Sequence, residues 1–232
     1  MIALLICLHI AASGSCNDPV AYDSCNDLKM LGLAVQNYRS NFGSFPPASV
    51  SSRNGDRLHS WRVLILPFVE ANGFKEQYDL ESAWNSAANI DLANGERRVP
   101  GSKFPDPTMI RTVYTSPTNR SVAESFQTKF VILVDNEAPL IADYPHLRSD
   151  WLAKSPVVLG KITIVYLKQS GVHWMEPRDP DWMDIGNSSM TGDVLGAAVV
   201  DEEKVVCYDA SEFKQLLASR KRELSRNKSN FD

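Results

Sequence analysis

Three carboxylates, Asp179, Asp181 and Asp184, with Asn187 close behind, place oxygen ligands within one loop. Oxygens gathered from a single loop are what calcium takes. The run lacks the Asp-x-Asp-x-Asp-Gly core of an EF-hand, so calcium on these three aspartates is one expectation and a plain solvated loop is the reading we favour. The most distinctive tetrapeptide is His173-Trp174-Met175-Glu176. Glu176 has the chemistry of a general acid, yet such a site also needs an orienting partner and a pocket that excludes water, and the sequence displays neither. We expect a turn that follows a strand, with Arg178 pairing Glu176. His9, His59 and His146 stand at no ligand or triad spacing; Ser60 directly follows His59, so the two side chains diverge on helix and strand alike. With no Gly-rich phosphate loop and no Cys-x-x-Cys, nucleotide use, zinc ribbons and thioredoxin-type redox chemistry lack support. The expectation is that no residue is catalytic and that no cofactor is bound, calcium apart. Trp151, Trp174 and Trp182 would stack on sugar rings if exposed; core packing is the reading we favour.

The four cysteines are Cys7, Cys16, Cys25 and Cys207. An apolar stretch from Ile2 to Ile10, followed by small residues from Ala11 to Ser15, resembles a short secretory segment and its cleavage zone. A bilayer span needs about 20 apolar residues, so this stretch is too short for a stable anchor. Ser13 to Cys16 resembles a lipoprotein signal only faintly, because Ser stands three before the cysteine. If Cys7 leaves with that segment, three cysteines remain, which allows one disulfide and a spare thiol with connectivity open. Acidic residues number 28 and basic 24, a net charge of −4 that gives no electrostatic reason to expect a nucleic-acid partner. The basic run at Arg220, Lys221 and Arg222, with Arg226 and Lys228, reads as a solvated helix end.

These residues need elements to hold them. Cys25, Leu28, Leu31, Val35, Tyr38 and Phe42 recur at steps of three and four, which predicts a helix capped by Asp23 or Ser24 and ended by Gly43, Pro46 and Pro47. A polar loop from Ser49 to Asp56 leads to an apolar run from His59 to Phe74, read as helix up to Pro67. Glu81 to Leu92 is weakly helical, and Gly95 to Pro107 is a loop. Strands are expected at Ile110–Thr115, Lys129–Asp135, Lys161–Lys168, Gly196–Val200 and Lys204–Tyr208, where β-branched and aromatic residues dominate. The last two are joined by a short polar connection of hairpin length. Ser211 and Glu212 then open an amphipathic helix. Helices first and strands later imply an α+β fold, with 232 residues and 44% apolar content sufficient for one domain. We divide the chain into a signal-like or truncated membrane segment (1–15), the α+β domain (16–219) and a charged, frayed tail (220–232).

The blocks SCNDLKMLGLAVQNYRSNFGSFPPAS (Ser24 to Ser49), HSWRVLILPFVE (His59 to Glu70) and SGVHWMEPRD (Ser170 to Asp179), with the closing hairpin GAAVVDEEKVVCYDAS, resemble domain of unknown function 1559. That family is found mainly in planctomycete bacteria. The resemblance runs from about Ile2 to Ser219 and is loose from Gly95 to Leu159. It implies a pilin-like architecture, a long N-terminal helix on a C-terminal antiparallel sheet, together with export and no known catalytic activity. The chain departs from the family in three places: the charged leader and its Gly-Phe-Thr-Leu-x-Glu start are missing, Lys103 to Thr108 lacks the cysteine that members often place there, and the closing turn Asp201-Glu202-Glu203-Lys204 has no glycine. If the missing cysteine is the family partner of Cys25, then Cys25 has lost it. The expectation is a non-enzymatic, extracytoplasmic, pseudopilin-like structural or assembly protein; a glycan- or protein-binding module is the alternative. Its partners would be envelope proteins or itself, with membrane contact only through the N-terminal segment.

Overall fold

The computed structural model describes residues 19–52, 54–69, 77–94, 114, 126–134, 140–142, 161–185 and 193–228. The periodic stripe near the N-terminus does form a helix, α1 (Pro19–Phe42). It starts ahead of the stripe, so Asp23 and Ser24 lie inside it instead of capping it. Leu28, Leu31, Val35 and Tyr38 are fully buried, while Asn26 and Asn37 face water. The helix stops where Gly43 adopts φ 80° and donates its N–H to the Arg39 carbonyl at 2.7 Å, a left-handed closure that glycine alone makes without strain.

The next segment corrects the sequence reading. Residues read as a polar loop form an antiparallel hairpin of β1 (Ser49–Ser52) and β2 (Arg57–Ser60), turned at Asn54-Gly55 with Gly55 at φ 87°. The run from His59 is therefore strand first. It becomes helical only at α2 (Trp61–Leu64), whose first turn is capped by Ser60 accepting the Arg62 N–H at 3.2 Å. A 3-10 turn, Leu66–Phe68, then contains Pro67. Helix α3 (Ala87–Asn94) starts later than Glu81. Buried Asn89 explains why: its Nδ2 donates to the carbonyls of Asp79 and Ala83, and its Oδ1 accepts the Asp79 N–H, so 79–83 is held as a turn.

The expected strands follow: β3 (Phe130–Val134), β5 (Ile162–Leu167), β6 (Val194–Val200) and β7 (Val205–Asp209) form an antiparallel sheet in the order β3-β5-β6-β7. A short β4 (Leu140–Ala142) instead pairs parallel to β1 in a second sheet. Gly95 to Pro107 lies outside the described residues. So does Ile110–Thr115 except Tyr114, which is helical.

Alternation along the main sheet buries both faces. Ile132, Ile164, Ala198, Val200 and Val205 join one core with α1; Val131, Leu133, Val165 and Ala197 join another with Phe213 and Leu217 of the last helix, α4 (Ala210–Lys228). Both faces are covered, helix on sheet on helix, as amphipathic elements of this size require. Asp209 opens α4, accepting the N–H groups of Ser211 and Glu212, while Glu212 Oε2 takes the Asp209 N–H at 3.1 Å: a reciprocal capping box. Of residues 220–232, expected as a charged, frayed helix end, 220–228 continue α4 and the rest lie outside the described residues. Lys221 donates to the carbonyls of Met183 and Ile185 at 3.0 and 2.7 Å, and Arg220 lies over the Trp182 ring.

Candidate functional site

The polar centre of the molecule is an ion pair that the sequence does not announce. Arg62, on α2, is 0% exposed at its side chain and Asp179 5%, and Arg62 Nη2 stands 2.5 Å from Asp179 Oδ1. The other two nitrogens are engaged as well: Nε donates to the Phe130 carbonyl at 2.9 Å and Nη1 to the Glu176 carbonyl at 3.3 Å. The guanidinium Cζ lies 5.0 Å from the centre of the Trp61 ring. Asp179 Oδ1 also accepts the Ile132 N–H at 2.9 Å and the Trp61 indole N–H at 3.3 Å. Burial pushes the Asp179 carboxyl above the usual carboxylate range, with Arg62 and these N–H donors opposing the shift. Tyr114, fully buried, donates its hydroxyl to the Arg62 carbonyl at 2.7 Å.

The pair bridges the two parts of the fold. Its donors and acceptors come from α2 and from the turn after β5, and both close on β3, the outer strand of the main sheet. Beside it lies a cleft of about 280 Å³ whose lining includes Ser49, Arg57, Ile132, Asp179, Asp181 and Trp182.

The histidines are built into the packing. Buried His59 has both ring nitrogens occupied: Nε2 is 3.1 Å from the Leu80 carbonyl, which only accepts, so Nε2 carries the proton and Nδ1 accepts from the Tyr78 hydroxyl at 3.0 Å. Burial lowers its pKa to about 4. His173 is pushed down to about 4 by the same cause; its ring sits among Phe126 and Trp84, and its Nδ1 accepts the Met175 N–H. Glu176 turns away to Arg178, with Arg178 Nε 2.7 Å from Glu176 Oε1, the local pairing expected from the sequence. The tetrapeptide is thus a turn braced by its own side chains.

The three aspartates do not act as a set. Asp179 is turned inward to Arg62, whereas Asp181 and Asp184 are exposed. Among the described residues no group of three or more His, Cys, Asp or Glu side chains gathers as a metal would require. Asn187 lies outside the described residues. Trp174 and Trp182 are 1% and 7% exposed and offer no sugar platform; Trp151, His9 and His146 lie outside the described residues. Arg62 is the residue that sequence reasoning missed. Its signal was a single cation inside Trp61 to Leu66, a run buried throughout, because such a charge must find a buried partner.

Fold and site together define an α+β protein of pilin-like build, a helix laid on an antiparallel sheet, organised around a buried ion pair. The chain belongs to the family described as protein of unknown function, DUF1559, whose model matches residues 22–149, more than half of its length. No curated protein and no solved structure matches it.

Proposed function

We propose that this is a non-enzymatic, exported, pseudopilin-like structural or assembly protein of the cell envelope. The observation that carries the reading is the packing of α1 along the main sheet, the arrangement in which a pilin-like subunit presents a helix-backed head. The engagement of most of the polar residues within the fold supports the non-enzymatic part. Arg62, His59 and Glu176 hold partners inside the fold, and Asp179 Oδ1 takes Arg62 and two N–H groups while its Oδ2 is buried without a partner among the described residues. Calcium has no part in the reading, since Asp179 turns inward to Arg62 while Asp181 and Asp184 are exposed. The alternative, a glycan- or protein-binding module, would use the cleft at Arg57 and Asp181, but the burial of Trp174 and Trp182 favours it less.

The test is to express the full chain with a C-terminal epitope in an envelope-bearing bacterial host, fractionate the cells, and cross-link them with a membrane-impermeant reagent. Recovery in the envelope fraction, with the epitope in cross-linked species of two or more envelope subunits, is the expected result. Recovery solely in the cytosol, or an uncross-linked monomer turning over a substrate, overturns it.

A further inference from the structure

We infer that Cys25 and Cys207 form a disulfide that fastens α1 to β7. Cys207 donates its thiol to the carbonyl of Cys25, with sulfur and oxygen 3.8 Å apart, although 182 positions separate the two residues in sequence. A carbonyl oxygen lies about 2.4 Å from its own Cα, so the Cys207 sulfur is within about 6 Å of the Cys25 Cα. With the Cys207 Cα about 2.8 Å from its own sulfur, the two Cα atoms stand within about 9 Å, and a disulfide joins residues whose Cα atoms lie roughly 4.4–6.8 Å apart, so a short approach of the two segments closes the bond. Both residues are thiols and both are partly accessible, so an oxidant can reach them.

The neighbouring residues explain the approach. Cys25, Leu28 and Gly32 follow one stripe of α1, and Val205 and Cys207 follow one face of β7. At Gly32 an added Cβ would lie 2.6 Å from Val205 Cγ1, and at Gly196 it would lie 3.6 Å from Leu28 Cδ1. Glycine on each partner thus lets helix and sheet meet with a single side chain between them, Val205 against Gly32 and Leu28 against Gly196. Closing the bond asks for rotation of both cysteines about χ1 and a small slide of the helix end.

The chemistry is exchange with a disulfide oxidant of the glutathione class. One cysteine, as thiolate, attacks the oxidant and releases a reduced thiol, leaving a mixed disulfide. The second cysteine then displaces the other half. One intramolecular S–S bond forms, the protein gives up two electrons and two protons, and the oxidant departs as two thiols. The inference goes beyond the proposed function, since it concerns the folded chain and any such oxidant, wherever the protein resides.

The experiment incubates the purified full chain with glutathione disulfide, blocks remaining thiols by alkylation, digests without reductant and identifies linked peptides by mass spectrometry. A Cys25–Cys207 linked pair that vanishes on reduction is expected. Alkylation of both residues in the folded, oxidised protein, or linkage of Cys207 to Cys7 or Cys16, overturns the inference. The oxidised chain should also melt about 5–15 °C above the reduced one, a difference that Cys25→Ser and Cys207→Ser each abolish. Equal melting of oxidised and reduced wild-type chain counts against it. Should either variant fail to fold, the peptide map of the unaltered chain decides alone.

Discussion

His59 donates from Nε2 to Leu80 and accepts at Nδ1 from Tyr78 in a site closed to water. A second proton would force Nδ1 to donate and would put a charge where nothing solvates it, which is why its pKa falls to about 4. The unfolded chain titrates near the ordinary value of 6.5, so between the two values it binds the proton that the folded chain refuses. The stability due to neutral His59 is therefore complete above about pH 6.5 and is lost as the pH falls towards 4, by about 3 kcal/mol in full. Thermal unfolding followed from pH 7 to pH 4 should show that decline. In His59→Gln the protein should be less stable at pH 7 and the slope shallower, with a remainder due to His173, which is lowered likewise. An unchanged slope would mean that His59 is not the titrating group.

At the scale of elements, the contact between α1 and the edge of the main sheet sets two local rules against each other. Alanine in place of Gly32 should favour the helix by about 1 kcal/mol from propensity alone. Its Cβ, however, would stand 2.6 Å from Val205 Cγ1, and overpacking of this kind costs about 1–3 kcal/mol. We expect Gly32→Ala to destabilise by about 1 kcal/mol or more in urea titration, and Val205→Ala in the same chain to recover part of the loss. A more stable single variant would show that the two elements have room to part. The helix itself was legible because its stripe repeats at helical spacing, and β5 to β7 because Val, Ile and Tyr cluster between turn residues. The β1–β2 hairpin was not, because each strand offers a single large apolar residue, Val50 or Leu58. Asn54-Gly55 was the available signal, a dipeptide suited to tight hairpin turns. The start of α1 was misplaced because Pro19 to Tyr22 precede the stripe that marked the helix.

For the whole molecule, Arg62 and Asp179 act as the joint between the hairpin region and the main sheet. Removing one partner leaves a buried charge uncompensated, so Arg62→Met should cost about 3–5 kcal/mol. Arg62→Met with Asp179→Leu should cost clearly less than the sum of the two single changes, because the double variant buries no orphan charge. Chemical denaturation of the four proteins measures this, and strict additivity would show that the groups do not work as a pair. This joint was hidden from sequence reading because its members lie 117 positions apart and belong to no periodic pattern. Asp179 was noticed only as one of several neighbouring acids, which drew attention to the loop and away from the core.

The joint also does something at the rim of the sheet. On the side of β3 away from β5, the Phe130 N–H is taken by Thr128 Oγ1, the Phe130 carbonyl by Arg62, and the Ile132 N–H by Asp179. Side chains thereby occupy the rungs that a foreign strand would need in order to dock. The sheet edge is blunted there against addition of a strand from another molecule, so copies of this protein that join strand to strand would have to do so along some other edge.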